Sequence, residues 1–316
     1  MILLLPILLL ALSIGAGDTS NSISTLVGSR ILTLRRALLL STLFLVLGLL
    51  LEGWKVEETV AKRLITGERE FLKCVPEAVI PICLATFVCS FPFLILGFPV
   101  STTQTLLASL IGAGLIMGKG LAFQVERFGT LLMCWVMSPL ISMLLAFLLA
   151  LLLPRVLQSV RSLLVLNQIL AVLLLFSSAY VAYTNGANDG GALLGIASSL
   201  GSSLLFTLCL GMTIAVGSVL LSRRVIMTVG LGITRLDPIT AFLAQFSAAL
   251  SVWSFVQLGF PVSLTQALVG SVTGVGLSRG RAGINLPKMK KILAIWILSP
   301  LLGLGLSMLF ALPFSL

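Results

Sequence analysis

Residues 97–120 read GFPVSTTQTLLASLIGAGLIMGKG, and residues 259–280 read GFPVSLTQALVGSVTGVGLSRG. A second writing of one motif prompts a search outward from it, and two more landmarks recur in the same order. GAGDTSN (15–21) returns as GANDGGA (186–192), and LLMCWVMSPLISMLLAFLLALLLP (131–154) returns as ILAIWILSPLLGLGLSMLFALP (292–313). The offsets are 171, 162 and 161 residues, so the first half carries about nine extra residues between its first two landmarks. The charged stretch EGWKVEETVAKRLITGERE (52–70) is the natural place for them, as a loop. The chain divides into a first repeat, 1–160, and a second, 161–316, meeting near PRVLQSVRSLLVLNQ (154–168). Duplicated halves with Gly- and Pro-interrupted hydrophobic segments at matching positions point to a secondary transporter.

Composition places both halves in a membrane. Apolar residues make up 58% of the chain and charged residues 9%, against about 25% charged in soluble domains. The runs 37–51, 74–98, 129–153, 165–183, 201–221, 239–258 and 291–314 are long enough to cross or nearly cross a hydrocarbon core of about 30 Å. The N-terminal MILLLPILLLALSIGAG lacks the basic start of a signal peptide and reads as one more membrane helix. No run alternates with period two, so the spans are helical. The net charge of +10 falls in clusters between apolar runs, at 30–36, 55–73, 119–127, 155–161, 223–235 and 279–291. These read as topology signals facing the lipid bilayer and its headgroups, not as a nucleic-acid surface. GSRILTLRR (28–36) carries three Arg and its counterpart LGSSLLFTL (200–208) none, the contrast expected of equivalent loops on opposite faces. Cys74, Cys83, Cys89, Cys134 and Cys209 form no CxxC pair and read as buried packing residues. There is no histidine, which removes the usual proton shuttle and the commonest metal ligand.

Eight of the ten acids sit in charged loops or at helix starts, among them Asp237 before Pro238. Asp18 and Asp189 alone lie in uncharged apolar surroundings, and they are repeat equivalents. Carboxylate and amide oxygens among glycines, where a helix breaks, are hard ligands for Na+, and an Asp can instead take a proton. In PVSTTQ and PVSLTQ, Ser followed three residues later by Gln before an apolar run is a capping box. Placed inside a membrane, such a helix start offers unpaired N–H groups and a positive dipole to an oxyanion. Hydroxyls of Ser101, Thr102, Thr103, Ser263 and Thr265 add donors. The short, small-residue-rich helices that follow would form tight hairpins. No Lys or Arg lies inside a membrane run, so a co-bound cation must balance the anion, and each then favours binding of the other.

These residues resemble the PiT family of inorganic phosphate transporters. Its signature in both halves is Gly-Ala-Asn-Asp, with Asn after two intervening residues, and a later Pro-Val-Ser-Thr-Thr-His. The resemblance extends through VGSRILTLRRALLLSTLFLVLG (27–48), TVGLGITRLDPITAFLAQFSAAL (228–250) and both SPL-containing last helices. It implies an all-α polytopic membrane protein of two inverted-topology repeats, with broken helices and two re-entrant helical hairpins. It implies a symporter of the cell membrane carrying phosphate with Na+ or H+, without any other cofactor; family analogy also allows a homodimer, though no motif specifies one. Carried over by position, the cation residues are Asp18, Asn21, Asn188 and Asp189. The anion residues are Ser101, Thr102, Thr103, Gln104, Ser263, Thr265 and Gln266. Gly17 replaces the leading Asn of the first signature and Ala192 the trailing Asn of the second. The hairpin His is Gln104 in one half and Gln266 in the other, and Leu264 stands where a Thr is usual. Gln cannot titrate, so no proton rides there. These changes keep open a permease for sulfate or another tetrahedral oxyanion. A passive channel would leave the two Asp without a purpose, and a lipid-phosphate enzyme would need an activated nucleophile.

Overall fold

Inside hydrocarbon an apolar run satisfies its backbone only as a helix or a closed barrel, and here it is the helix. The computed structural model describes residues 2–66, 71–96, 100–118, 122–123, 125–201, 203–230, 237–279 and 286–314. Helices α1 (Leu4–Gly28), α2 (Leu34–Glu58), the short α3 (Phe71–Cys74), α4 (Val79–Ile95), α5 (Thr102–Met117) and α6 (Val125–Leu157) form the first half. The second half contains α7 (Leu163–Asn185), α8 (Gly191–Ala197), α9 (Leu204–Gly230), α10 (Pro238–Gln257), α11 (Leu264–Ser278) and α12 (Leu286–Ala311). The one extended element among the described residues is a two-residue antiparallel pairing of Ile65–Thr66 with Ala122–Phe123. Eight described stretches are long and apolar enough to cross a membrane; α5 and α11 are shorter apolar helices. This is a multi-pass membrane protein. Its surface is Leu-rich, as Leu140, Leu144, Leu148 and Leu152 on one stripe of α6 illustrate, and many Ser and Thr side chains, with Asp18, Asn185, Asn188 and Asp189, are buried among the hydrophobic residues of the interior.

The halves interlock. Helix α1 lies along α9 and α2 along α7; α5 lies along α12 and α6 along α11; α4 packs on α12 and α10 on α6. In the register of the repeat, α1 corresponds to α7, α2 to α9, α4 to α10, α5 to α11 and α6 to α12. Each contact therefore has a counterpart with the halves exchanged. The antiparallel pairs α4–α5 and α10–α11 are the expected hairpins. Asp18 lies near the middle of α1.

Two expectations are corrected here. Helix α1 runs unbroken through GAGDTSN, and in the second half α7 passes into α8 through a π-helical turn, Gly186–Gly190, rather than unwound chain. The glycines are spent on close approach instead. A β-carbon on Gly15 would overlap the carbonyl oxygen of Ile214 in α9, and one on Gly186 that of Leu45 in α2. The π turn accommodates one extra residue without giving up backbone hydrogen bonds. Secondly, the first part of 52–70 is not a loop: α2 continues to Glu58 and then through a π turn, Thr59–Arg63. Lys55 thus lies within a span-length helix, contrary to the expectation of none. Its charge is met by Glu52 (3.6 Å) and Gln257 (2.5 Å), and Glu52 also accepts from the Trp253 indole at 3.0 Å. Polar side chains near a helix end survive by such pairing and by reaching toward the interface. Among the cysteines, all free, Cys83, Cys89 and Cys134 are buried as expected, but Cys74 and Cys209 are exposed. Parts of the basic clusters 55–73, 119–127, 223–235 and 279–291, namely 67–70, 119–121, 124, 231–235 and 280–285, lie outside the described residues, as do residues 97–99 of the first hairpin motif.

Asp237 caps α10 as its position before Pro238 predicts. Its carboxylate accepts from the Thr240 amide at 2.8 Å and from Arg279, beyond the end of α11, also at 2.8 Å. The pair closes the base of the second hairpin. Partial burial alone would raise the Asp237 pKa, but the Thr240 and Arg279 hydrogen bonds outweigh it and leave it lowered. A lowered folded-state pKa contributes stability above the ordinary carboxylate range and loses it as pH falls through the folded value. Asp237→Ala should cost about 1 kcal/mol at neutral pH, nearly all from the cap because the ion pair is exposed. The deficit relative to the unmodified protein should shrink on acidification. Thermal unfolding of the detergent-solubilised protein across pH would check both.

Candidate ion-binding site

The two hairpin tips meet each other and the two Asp-bearing helices. At the start of α5 the Ser101 hydroxyl accepts from the Gln104 amide at 3.2 Å, and at the start of α11 Ser263 accepts from Gln266 at 3.3 Å. Each Ser is thus the N-cap expected of it. The other half of the capping box does not form. Gln104 and Gln266 instead bond each other across the halves, Nε2 to Oε1 in both directions, at 2.9 and 2.8 Å. A buried amide pair satisfies a donor and an acceptor on each side, which a single return to Ser N–H would not. It leaves the first-turn amides of α5 and α11, which have no acceptor within their helices, side by side.

Asp189 and Asp18 are buried, 8% and 5% exposed, and 171 residues apart in sequence, yet their carboxyls are neighbours in the fold. Two buried carboxyls can be neighbours only by sharing a proton or a cation. Asp189 Oδ1 also accepts from the Thr103 hydroxyl and, at 2.5 Å, from Asn188 Nδ2. Asn188 grips the second tip in addition: its Oδ1 accepts from the Val262 amide at 3.0 Å and its Nδ2 donates to the Val262 carbonyl at 2.6 Å. Asn188, a cation ligand by expectation, also holds backbone 74 residues away. A sequence carries no signal for such a contact.

The two halves of the site are not mirror copies. Thr103 reaches Asp189, whereas its equivalent Thr265 donates to the Val100 carbonyl at 3.4 Å and leaves Asp18 Oδ2 without a partner. The cause is readable. Gly17 occupies the position equivalent to Asn188, so no side-chain amide holds Val100 as Asn188 holds Val262, and Thr265 takes that carbonyl. Asn21 is half-buried one turn beyond Asp18 and has no hydrogen bond to the described residues. Thr102, at the first position of α5, is half-buried and likewise unbonded, which leaves its hydroxyl at the helix start. Of the eleven residues singled out from sequence, Asp189, Thr103 and Asn188 form one bonded group, Ser101, Gln104, Gln266 and Ser263 a second, and Asn188 and Thr265 tie to the tip backbone at Val262 and Val100. Asn185 was missed. It is 1% exposed, stands one turn before Asp189, and has neither amide atom bonded. Its signal was its place in TNGAND, a polar side chain closing an apolar run.

Oxygen-rich and buried, with paired helix N-termini beside paired carboxyls, this arrangement can hold an anion next to a cation. A family model described as the phosphate transporter family matches residues 14–307. The chain belongs to that family. A relative from Methanocaldococcus jannaschii is 28% identical over 92% of this chain and 90% of its own length. One from Haemophilus influenzae is 25% identical, again over 92% and 90%, and one from Pyrococcus furiosus is 27% identical over 94% and 92%. All three carry provisional assignments as phosphate permeases. A solved structure of a sodium-dependent phosphate transporter superposes with a TM-score of 0.86 over 99% of both chains, at 24% identity. That likeness carries the fold. Family membership makes the chain a transporter and not an enzyme.

Proposed function

We propose that this transporter is a symporter, carrying inorganic phosphate across the cell membrane with Na+ or H+ by alternating access around the site described above. The observation that carries the reading is the hydrogen bond from Thr103 to Asp189. Thr103 belongs to the first turn of the helix whose N-terminus suits an oxyanion, and Asp189 to the carboxyl pair that needs a cation. Cation binding between Asp18 and Asp189 would orient Thr103 and with it the tip of α5. Binding of either ion then favours the other, and by linkage the effect is reciprocal. The position of Asp189 also favours phosphate over sulfate. Phosphate near neutral pH carries a proton to donate and sulfate does not, so a carboxylate acceptor at the α5 start suits the former.

Three further features support alternating access. Each half has four stretches of span length, of which α4 and α10 belong to the hairpins. On the re-entrant reading each hairpin returns to its own side and adds no crossing, so each repeat would cross three times and the second would be inverted relative to the first. The exchanged contacts between halves supply two related packings, as inverted-repeat carriers use. The unequal hydrogen bonds of Thr103 and Thr265 describe one of them.

The test is uptake of labelled phosphate, and separately sulfate, into proteoliposomes under an imposed Na+ gradient, an imposed H+ gradient, or neither. Phosphate uptake that requires one gradient is expected. Sulfate uptake with phosphate excluded would overturn the substrate, and gradient-independent flux would overturn coupling.

A further inference from the structure

We infer that Asn185 supplies an oxygen ligand to the coupling cation, and that this cation is Na+. The inference rests on the symport reading and extends it. The argument starts from which polar atoms are occupied. Asn188 has its oxygen on the Val262 amide and its nitrogen on Val262 and Asp189, so its orientation is set by the α11 tip and one lone pair of its oxygen is already taken. Asn185, 1% exposed, has both Oδ1 and Nδ2 unbonded. A buried amide without partners forgoes the hydrogen bonds that would offset its desolvation, and among the buried side chains of the described residues Asn185 alone is an amide with both groups unbonded.

Position gives the use. Residues 185 and 189 are four apart across the start of the π turn, which places them on one helix face with β-carbons about 5–6 Å apart. The opposite side of this segment is turned to α2, where Gly186 lies against Leu45. Asn185 therefore stands beside the carboxyl pair, and Asp18 Oδ2 is unbonded there too. A proton shared by two carboxyls needs no third oxygen. A bare alkali cation among buried carboxylates does, since hard cations take several oxygen ligands. Neutral amide oxygen adds coordination without adding charge, so two carboxylates, one monovalent cation and one divalent or monovalent oxyanion need not be joined by yet another negative group. The first half has Ile14 at the equivalent position, so this ligand belongs to the second repeat alone and implies one such cation, not a symmetric pair.

The experiment measures Na+ dependence in purified protein in two ways, phosphate uptake in proteoliposomes and Na+-induced thermal stabilisation in detergent without phosphate. Asn185→Leu should raise the half-saturating Na+ concentration about tenfold or more in both readouts, the loss of one charge-assisted contact. Asn185→Asp, which keeps an oxygen, should keep a Na+ response. Asn185→Ala repeats the test in a smaller side chain if Leu does not fold. An unchanged Na+ half-saturation in Leu and Ala variants, with a Na+ response in the unmodified protein, overturns the ligand role and leaves symport standing. An unmodified protein driven by H+ and indifferent to Na+ also overturns it while leaving symport standing. Indifference to both gradients overturns the symport reading itself.

Discussion

Asp18→Asn and Asp189→Asn should each reduce cation-coupled phosphate uptake to background, a loss of at least about 100-fold, the scale of removing one charge from a buried, matched set. Neither should prevent folding. Each amide keeps an oxygen in place, and removing one of two neighbouring carboxylates relieves repulsion when the site is empty. Asp18→Asn should be the better tolerated, because Asp18 Oδ2 has no partner to lose. Asp189 accepts from both Thr103 and Asn188, so its replacement loosens the α5 tip as well as the cation site. The measurement pairs uptake in proteoliposomes with thermal stability in detergent, with and without Na+. Loss of uptake together with loss of cation-induced stabilisation, in proteins that remain folded, is the expected result. Cation-dependent uptake at normal levels in both variants would show that the neighbouring carboxyls do not hold the coupling ion. Retention in one alone would assign the ion to the other Asp.

How much of this could be read beforehand divides along a physical line. Features written in local pattern were legible: eight apolar spans, the repeat, Ser101 and Ser263 as N-caps, and two Asp in apolar surroundings. That the two Asp would lie beside each other was not written in the pattern; the repeat marked them only as equivalents. Features decided by long-range partners were not legible. Whether Asn188 holds an ion or a backbone depends on Val262, and whether Gln104 completes a cap or pairs across depends on Gln266. Glu52 and Lys55 looked like loop residues because nothing local reveals Trp253 and Gln257 on another helix. Asn185 had only a weak local signal, its place in TNGAND at the end of an apolar run; burial with both amide groups unbonded is visible only in the folded protein.

The glycines of the two signatures were read from sequence as sites of unwinding, and the structure makes them sites of contact. That difference is testable by substitution. Gly186→Leu should abolish recovery of folded protein, and Gly15→Leu should do the same at the equivalent interface. In each, the new side chain would start inside the backbone of the neighbouring helix, at Leu45 and at Ile214. A flexible side chain can step aside, but a carbonyl within a helix cannot move without its hydrogen bonds. Each strain exceeds the usual 1–3 kcal/mol of overpacking. Gly305, inside α12, is the matched control, since a β-carbon there meets nothing within 4 Å. Gly305→Ala should be neutral or raise stability by up to about 1 kcal/mol, the difference in helix propensity. If the signature glycines served to let the chain unwind, Gly15→Ala would be mild and would chiefly affect transport. On the contact reading even Ala is severe, because the first added carbon already overlaps, and protein yield falls before transport can be measured. Size-exclusion profiles and thermal unfolding of Gly15→Ala, Gly186→Ala and Gly305→Ala, compared side by side, decide between the two. Equal stability in all three would return the glycines to a role in backbone opening. A collapse confined to the first two would establish that close helix approach across the repeats holds the carboxyl pair in place.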